Sequence, residues 1–183
     1  MSSPQRLQVL AVDLDHTLID TDMIYFGLKQ IFLKKIYIFP YLFYLLLFRG
    51  KPAVKKYLYN NSIFDVNKIP FNEDLIKYIK KERENYNHVI LISGSYHKYV
   101  ETIANYLMLF DSYVGTCMKI NMISDNKLLY LNTKFNNPIF DYIGDNKKDI
   151  IIWESCRNAL VVDHGNITKH IKHLEYKVIS KRY

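Results

Sequence analysis

Apolar residues in this chain fall into short continuous runs, separated by stretches with helical spacing and broken by one long interruption. Val9 to Val12 is such a run and stops at Asp13, the pattern of a buried strand that ends in acidic residues. Val89–Ile92, Tyr113 with Val114, Ile139–Ile143, Ala159–Val162 and Val178 with Ile179 repeat it. Between the runs the period changes. Leu75, Ile76 and Ile79 share one face behind Asn72, a residue suited to cap a helix, and Glu73 and Asp74 put negative charge where the helix dipole favours it. Val100, Ile103, Ala104 and Leu107 recur at i, i+3, i+4 and i+7. Lys127 to Phe135 predicts another helix, stopped by Asn136, Asn137 and Pro138. Asp149–Cys156 and His170–Glu175 predict two more, and Asn85 to Asn87 a turn. Buried strands alternating with helices imply an α/β fold, a Rossmann-like parallel sheet flanked by helices.

The interruption runs from Asp22 to Pro70. It holds long aromatic and aliphatic runs with scattered lysines, punctuated by Pro40 and Pro52. We read residues 22–70 as a helical cap inserted after the first strand, with 1–21 and 71–183 forming the core domain. Its most apolar stretch, Ile36 to Phe48, has 13 residues. That is too short to span a bilayer, which needs about 20. Lys34 and Lys35 on one side and Arg49 and Lys51 on the other leave two readings open. The stretch packs on the protein or a second copy, or it touches an anionic membrane surface.

Composition narrows the classes. With 183 residues, 49% of them apolar, the chain can bury a proper core and is not disordered. Two cysteines, Cys117 and Cys156, exclude a disulfide scaffold and a four-cysteine zinc site, and read as buried or half-buried small residues. The net charge of +7 suits nucleic acid, an anionic membrane or phosphate esters. No arginine stripe or recognition motif supports nucleic acid, so none is expected as a partner. Met1 to Val12 has no secretory signal. The expected location is cytoplasmic, with the membrane surface kept as a second candidate.

In folds of this kind ligands sit beyond the carboxyl ends of the strands. The residues there are Asp13-Leu14-Asp15-His16-Thr17, then Ser93-Gly94-Ser95, then Gly144-Asp145-Asn146-Lys147-Lys148-Asp149. Several carboxylates gathered at one edge repel unless a cation joins them, and Mg²⁺ takes hard oxygen ligands.

The order DxDxT, Ser, Lys, GDxxxD resembles the haloacid dehalogenase (HAD) superfamily, from Val9 to about Ile179. The closest look is to its phosphoserine-phosphatase-like branch, and within it to the domains that precede prenyltransferases. PFNEDLIKYIKKER, LFDSYVGT and IFDYIGDNKKDIIIWESCRNALVV carry that closer likeness. The resemblance implies a phosphomonoester hydrolase. Asp13 would be the nucleophile, and Asp15 the acid that protonates the leaving oxygen and later the base that activates water. Asp15 argues against halide removal, since the family's dehalogenases lack it. His16 stands where Gly is common. Thr17 would orient the loop. The carboxylates of Asp13 and Asp145 and the backbone carbonyl of Asp15 would hold Mg²⁺, with Asp149 in support. Ser93 would bind a phosphate oxygen beside the N–H groups of Gly94 and Ser95 at a helix start. Tyr96 and His97 read as surface helix positions near the pocket.

Lys119, Lys127 and Lys134 all precede strand four. A helix returning to that strand starts at the carboxyl edge, and Lys134 lies about 10 Å further along its axis. Lys127 is therefore expected at the phosphate, with Lys134 as the fallback. A cap rich in aromatics would admit an aromatic or lipid-like phosphate, phosphotyrosine among them.

Overall fold

The computed structural model describes residues 6–32, 36–165 and 167–181. Six parallel strands form one sheet: β1 (Gln8–Val12), β2 (His88–Tyr96), β3 (Ser112–Thr116), β4 (Ile139–Gly144), β5 (Asn158–Asp163) and β6 (Tyr176–Lys181). Their order across the sheet is β3-β2-β1-β4-β5-β6. The chain therefore reverses direction of travel at β1, which pairs with β2 on one side and β4 on the other (Val12 opposite Leu91 and Ile143).

Strand alternation divides the core in two. Leu10 and Val12 face the layer of α3 (Glu73–Glu82) and α4 (His97–Leu107), where Ile79, Val100 and Ile103 are fully buried. Val9 and Ala11 face the layer of α5 (Asp125–Phe135) and α6 (Ile150–Trp153), with Leu131, Ile152 and Trp153. Both faces of β1 are thus dry, which explains its unbroken apolar run. Asn72 caps α3 by accepting from Leu75 N–H at 3.1 Å, and its own amide donates to Thr17 O at 3.0 Å. The cap of one helix thereby holds the loop that follows β1.

The insertion is helical: α1 (Met23–Phe32), a short 3-10 turn and α2 (Phe39–Asn61). α2 breaks at Gly50, whose φ of 76° only glycine adopts at low cost, and Pro52 follows. Ile31, Ile38, Leu42 and Leu58 form a small cluster of their own. Lys34 and Lys35 lie outside the described residues. Among the described residues no helix is long and apolar enough to cross a membrane.

Four local expectations fail. Residues 170–175 are not helical; a 3-10 turn spans Ile167–Lys169 and turns follow. Only Ile171 and Leu174 pack there, too few contacts to hold so short a helix. The helix expected over 149–156 is a 3-10 turn at Lys147–Asp149 and one turn of α6. β2 continues through Ser93-Gly94-Ser95, so α4 starts at His97. Cys117 is exposed; Cys156 is half-buried.

Candidate active site

The carboxyl ends of β1, β2 and β4 meet at one edge of the sheet. Asp13 follows β1 directly and is tied to β4 by its N–H to Ile143 O at 2.9 Å. Its Oδ1 accepts from Leu14 N–H at 2.8 Å and from Lys127 Nζ at 2.9 Å. Lys127 comes from the first turn of α5 and is 3% exposed. It also donates to the Tyr142 hydroxyl at 2.7 Å and lies 3.5 Å from Asp149 Oδ1. Tyr142 in turn donates to Asp149 Oδ1 at 2.9 Å. One oxygen each of Asp13, Asp145 and Asp149 lie within 4.8 Å of one another. Thr17 donates to Asp145 Oδ1 at 3.2 Å, so it steadies a carboxylate. Gly144 makes the arrangement fit: a Cβ there would stand 2.6 Å from Asp149 Oδ2 and 2.8 Å from Tyr142 Cε1.

Asp15 turns to other partners. Its Oδ1 accepts from Met23 N–H at 2.9 Å, at the start of α1. Its Oδ2 accepts from the Ser95 hydroxyl at 2.6 Å and the Ser93 hydroxyl at 3.3 Å. Ser93 is fully buried, and its Oγ accepts from Ser95 N–H at 2.9 Å. The Ser95 N–H is thus taken by the Ser93 side chain, and β2 runs on to Tyr96, which corrects the expected helix start. His16 has a φ of 55°, the conformation that explains why Gly suits that position. His97 accepts from Gly115 N–H at 3.2 Å, a packing role.

Three carboxylates share one ammonium, and the charges show it. Burial, then the charges of Asp149 and Asp15, push Asp13 up to about 7 despite Lys127. Burial, Asp13 and Asp149 push Asp145 up to about 8. Burial and Asp22 raise Asp15, against the bonds from Ser95 and Met23. Burial works to lower Lys127, but Asp13 and Asp149 outweigh it and hold the ammonium charged. An all-oxygen set with excess negative charge fits a hard divalent cation, so Asp13, Asp145 and Asp149 could hold Mg²⁺.

Lys55 was not foreseen. It reaches from the second half of α2 into the cleft, 7% exposed. Its Nζ donates to Gly94 O and, at 2.7 Å, to Asn121 Oδ1. Burial pulls its pKa down to about 8. In sequence it is indistinguishable from its exposed neighbour Lys56; only its place three residues before buried Leu58 hints at an inward face. Asp22, Ile24, Ile123, Ser124 and Lys148 complete the lining of a cleft of about 140 Å³. Lys134 stays at the far end of α5, near the rings of Tyr130 and Phe135. A larger hollow of about 760 Å³ lies at the opposite edge of the sheet. There Asp141 binds Arg157, Tyr86 and Asn158.

No family profile matches this sequence. The uncharacterized protein y4nM of Sinorhizobium fredii is 28% identical over 118 residues, 64% of this chain and 23% of that protein, so the chain spans about a quarter of that relative. A HAD-superfamily hydrolase from Ehrlichia chaffeensis superposes with a TM-score of 0.54 at 24% identity, covering 96% of this chain and 93% of that one. A phosphoserine phosphatase solved as a phospho-aspartyl intermediate analogue gives 0.60 at 12% identity, covering 96% and 94%. The six-stranded parallel sheet with its flanking helices is accordingly the fold of these HAD neighbours.

Proposed function

We propose that this chain is a Mg²⁺-dependent phosphomonoester hydrolase working through a phosphorylated Asp13, of the phosphoserine-phosphatase-like kind. The observation that carries the reading is the juxtaposition of Asp13 with Lys127 at 2.9 Å and with the carboxylates of Asp145 and Asp149. Oδ1 of Asp13 is held by Leu14 and Lys127, which leaves the other oxygen to attack phosphorus. The P–O bond to the leaving alkoxide breaks as the new one forms, and Asp15 supplies the proton. Burial and the charge of Asp22 raise its pKa, in the direction that favours the acid form. Asp15 then takes a proton from water, whose oxygen attacks phosphorus and frees Asp13 and inorganic phosphate. Lys127 balances charge on the phosphoryl oxygens. A bound Mg²⁺ would add Lewis-acid neutralisation there.

The helical insertion acts as the cap over this cleft. Among the described residues its aromatic side chains do not line it; Asp22, Ile24 and Lys55 do. Lys55 and Lys148 favour a small phosphorylated molecule whose leaving group bears its own negative charge. Ile24 and Ile123 favour an aromatic or lipid-like ester, phosphotyrosine included. A screen of sugar, amino-acid, aryl and lipid phosphates separates the two. The reaction itself is tested with an aryl phosphate: we expect turnover that Asp13→Asn or excess chelator removes. Full activity in either condition refutes the reading.

A further inference from the structure

The first half of α2 is apolar on every side. Leu42 and Leu45 turn inward. Around them Tyr41, Phe43, Tyr44, Leu46, Leu47 and Phe48 are 45–69% exposed. Isolated exposed apolar residues are ordinary, but a helix apolar all round belongs in a large core or against hydrocarbon. The break at Gly50 sets this half apart from the half that carries Lys55 into the cleft.

Charge tells what covers it. From Met23 to Phe64 the sequence has seven Lys and Arg and no Asp or Glu. The remaining 18 basic residues are matched by all 18 acidic ones, so the entire net charge of +7 resides in this segment. Arg49, Lys51 and Lys56 are exposed beside the apolar face. Two copies meeting here would bring like charges together, whereas an anionic surface is attracted.

The face extends to a second element. Met118, 50% exposed, lines a shallow groove with Tyr41, Leu45, Arg49 and Lys56, and Ile120 beside it is 47% exposed. This loop follows β3 at the ligand edge of the sheet, and its Asn121 accepts from Lys55. Phe39 to Phe48 would be roughly 15 Å long, half of a hydrocarbon core, so the helix fits lying in the interface. Tyr41 and Tyr44 suit headgroup depth.

We infer that the first half of α2, with the loop at Met118 and Ile120, docks on an anionic lipid bilayer and holds the cleft at its surface. This inference does not rest on the phosphatase reading. The test uses the full chain and flotation with phosphatidylcholine vesicles, with or without about 30 mol% phosphatidylserine. The chain should float with the anionic vesicles and not the neutral ones, and about tenfold less in 0.5 M than in 0.1 M salt. The combined variant Phe43→Ser, Leu47→Ser, Phe48→Ser should lose at least about tenfold in partitioning with unchanged far-ultraviolet circular dichroism. Arg49→Glu with Lys51→Glu should lose binding too. No flotation, equal flotation with neutral vesicles, or undiminished binding by either variant overturns the inference. So does a dimeric parent that the serine variant renders monomeric, since a second copy would then cover the face. Activity of the Asp13→Asn variant reports separately on the chemistry.

Discussion

Replacing Asp145 by Asn should stabilise the metal-free protein at alkaline pH and abolish its response to Mg²⁺. Folded Asp145 keeps its proton up to about pH 8, whereas an unfolded Asp loses it near 4. Between those values the folded state binds more protons, so stability falls as pH rises; below the unfolded value there is no penalty. Four units at 1.36 kcal/mol per unit would cost about 5 kcal/mol, and the partial exposure of Asp145 reduces this to about 2–3 kcal/mol. Three of the four units lie between pH 5 and pH 8, about 2 kcal/mol, which in a domain of this size is about 4–8 °C of melting temperature. Asparagine has no such proton to lose and still accepts from Thr17. At pH 8 in chelator the variant should therefore melt about 5 °C above the parent, and at pH 5 alongside it. Mg²⁺ at a hundred times its dissociation constant adds about 2.7 kcal/mol, which should lift the parent by about 5–10 °C at pH 8. Protons compete for the ligands, so the lift shrinks at pH 5. Scanning fluorimetry of both proteins, with chelator or Mg²⁺ at the two pH values, reads all four numbers. A variant less stable than its parent at pH 8 in chelator, or one that keeps the Mg²⁺ shift, refutes the reasoning.

Lys127→Met strands the carboxylates of Asp13 and Asp149 in a buried site and should cost about 3 kcal/mol, visible as a lower urea midpoint, while Lys134→Met leaves the midpoint unchanged. Gly144→Ala drives a methyl against Asp149 Oδ2 and Tyr142 Cε1 and should cost about 1–3 kcal/mol together with most of the turnover. Lys55→Met keeps the length of the side chain and removes its charge. Its KM for phosphate esters with an anionic leaving group should rise about tenfold, with little change in kcat; an unchanged KM would place Lys55 outside substrate binding.

What the sequence revealed was whatever depends on local order. Asp13 and Asp145 each follow an apolar run, so strand ends alone place them at one edge, and Asp149 lies only four residues beyond Asp145. The position of Lys127 follows from the direction of α5, since seven residues of helix decide which lysine faces the site. What stayed hidden depends on partners distant in the chain. Lys55 and Lys56 look alike until α2 packs, and 39 residues separate Lys55 from the Gly94 carbonyl it meets. Tyr142 reads as a strand residue, and only the fold turns its hydroxyl between Lys127 and Asp149. Ser95 looks like the start of a helix because its neighbours do, but its hydroxyl is needed by Asp15 while β2 is still running. The last helix failed because an i, i+3 pair in six residues satisfies the pattern without supplying the contacts.

The central position of β1 has a consequence for how the chain is made. β1 is synthesised early, yet one of its edges waits for β4, and Thr17 waits for Asp145 across 128 residues. At about 5–20 residues per second a ribosome needs on the order of 6–25 s to cover that distance. Through that interval Val9 to Val12, which become fully buried, have one hydrogen-bonding edge unpaired. The nascent chain is therefore most open to mispairing at the very strand that later carries Asp13, and conditions that slow elongation between α3 and β4 should lower the yield of folded protein before they affect anything else.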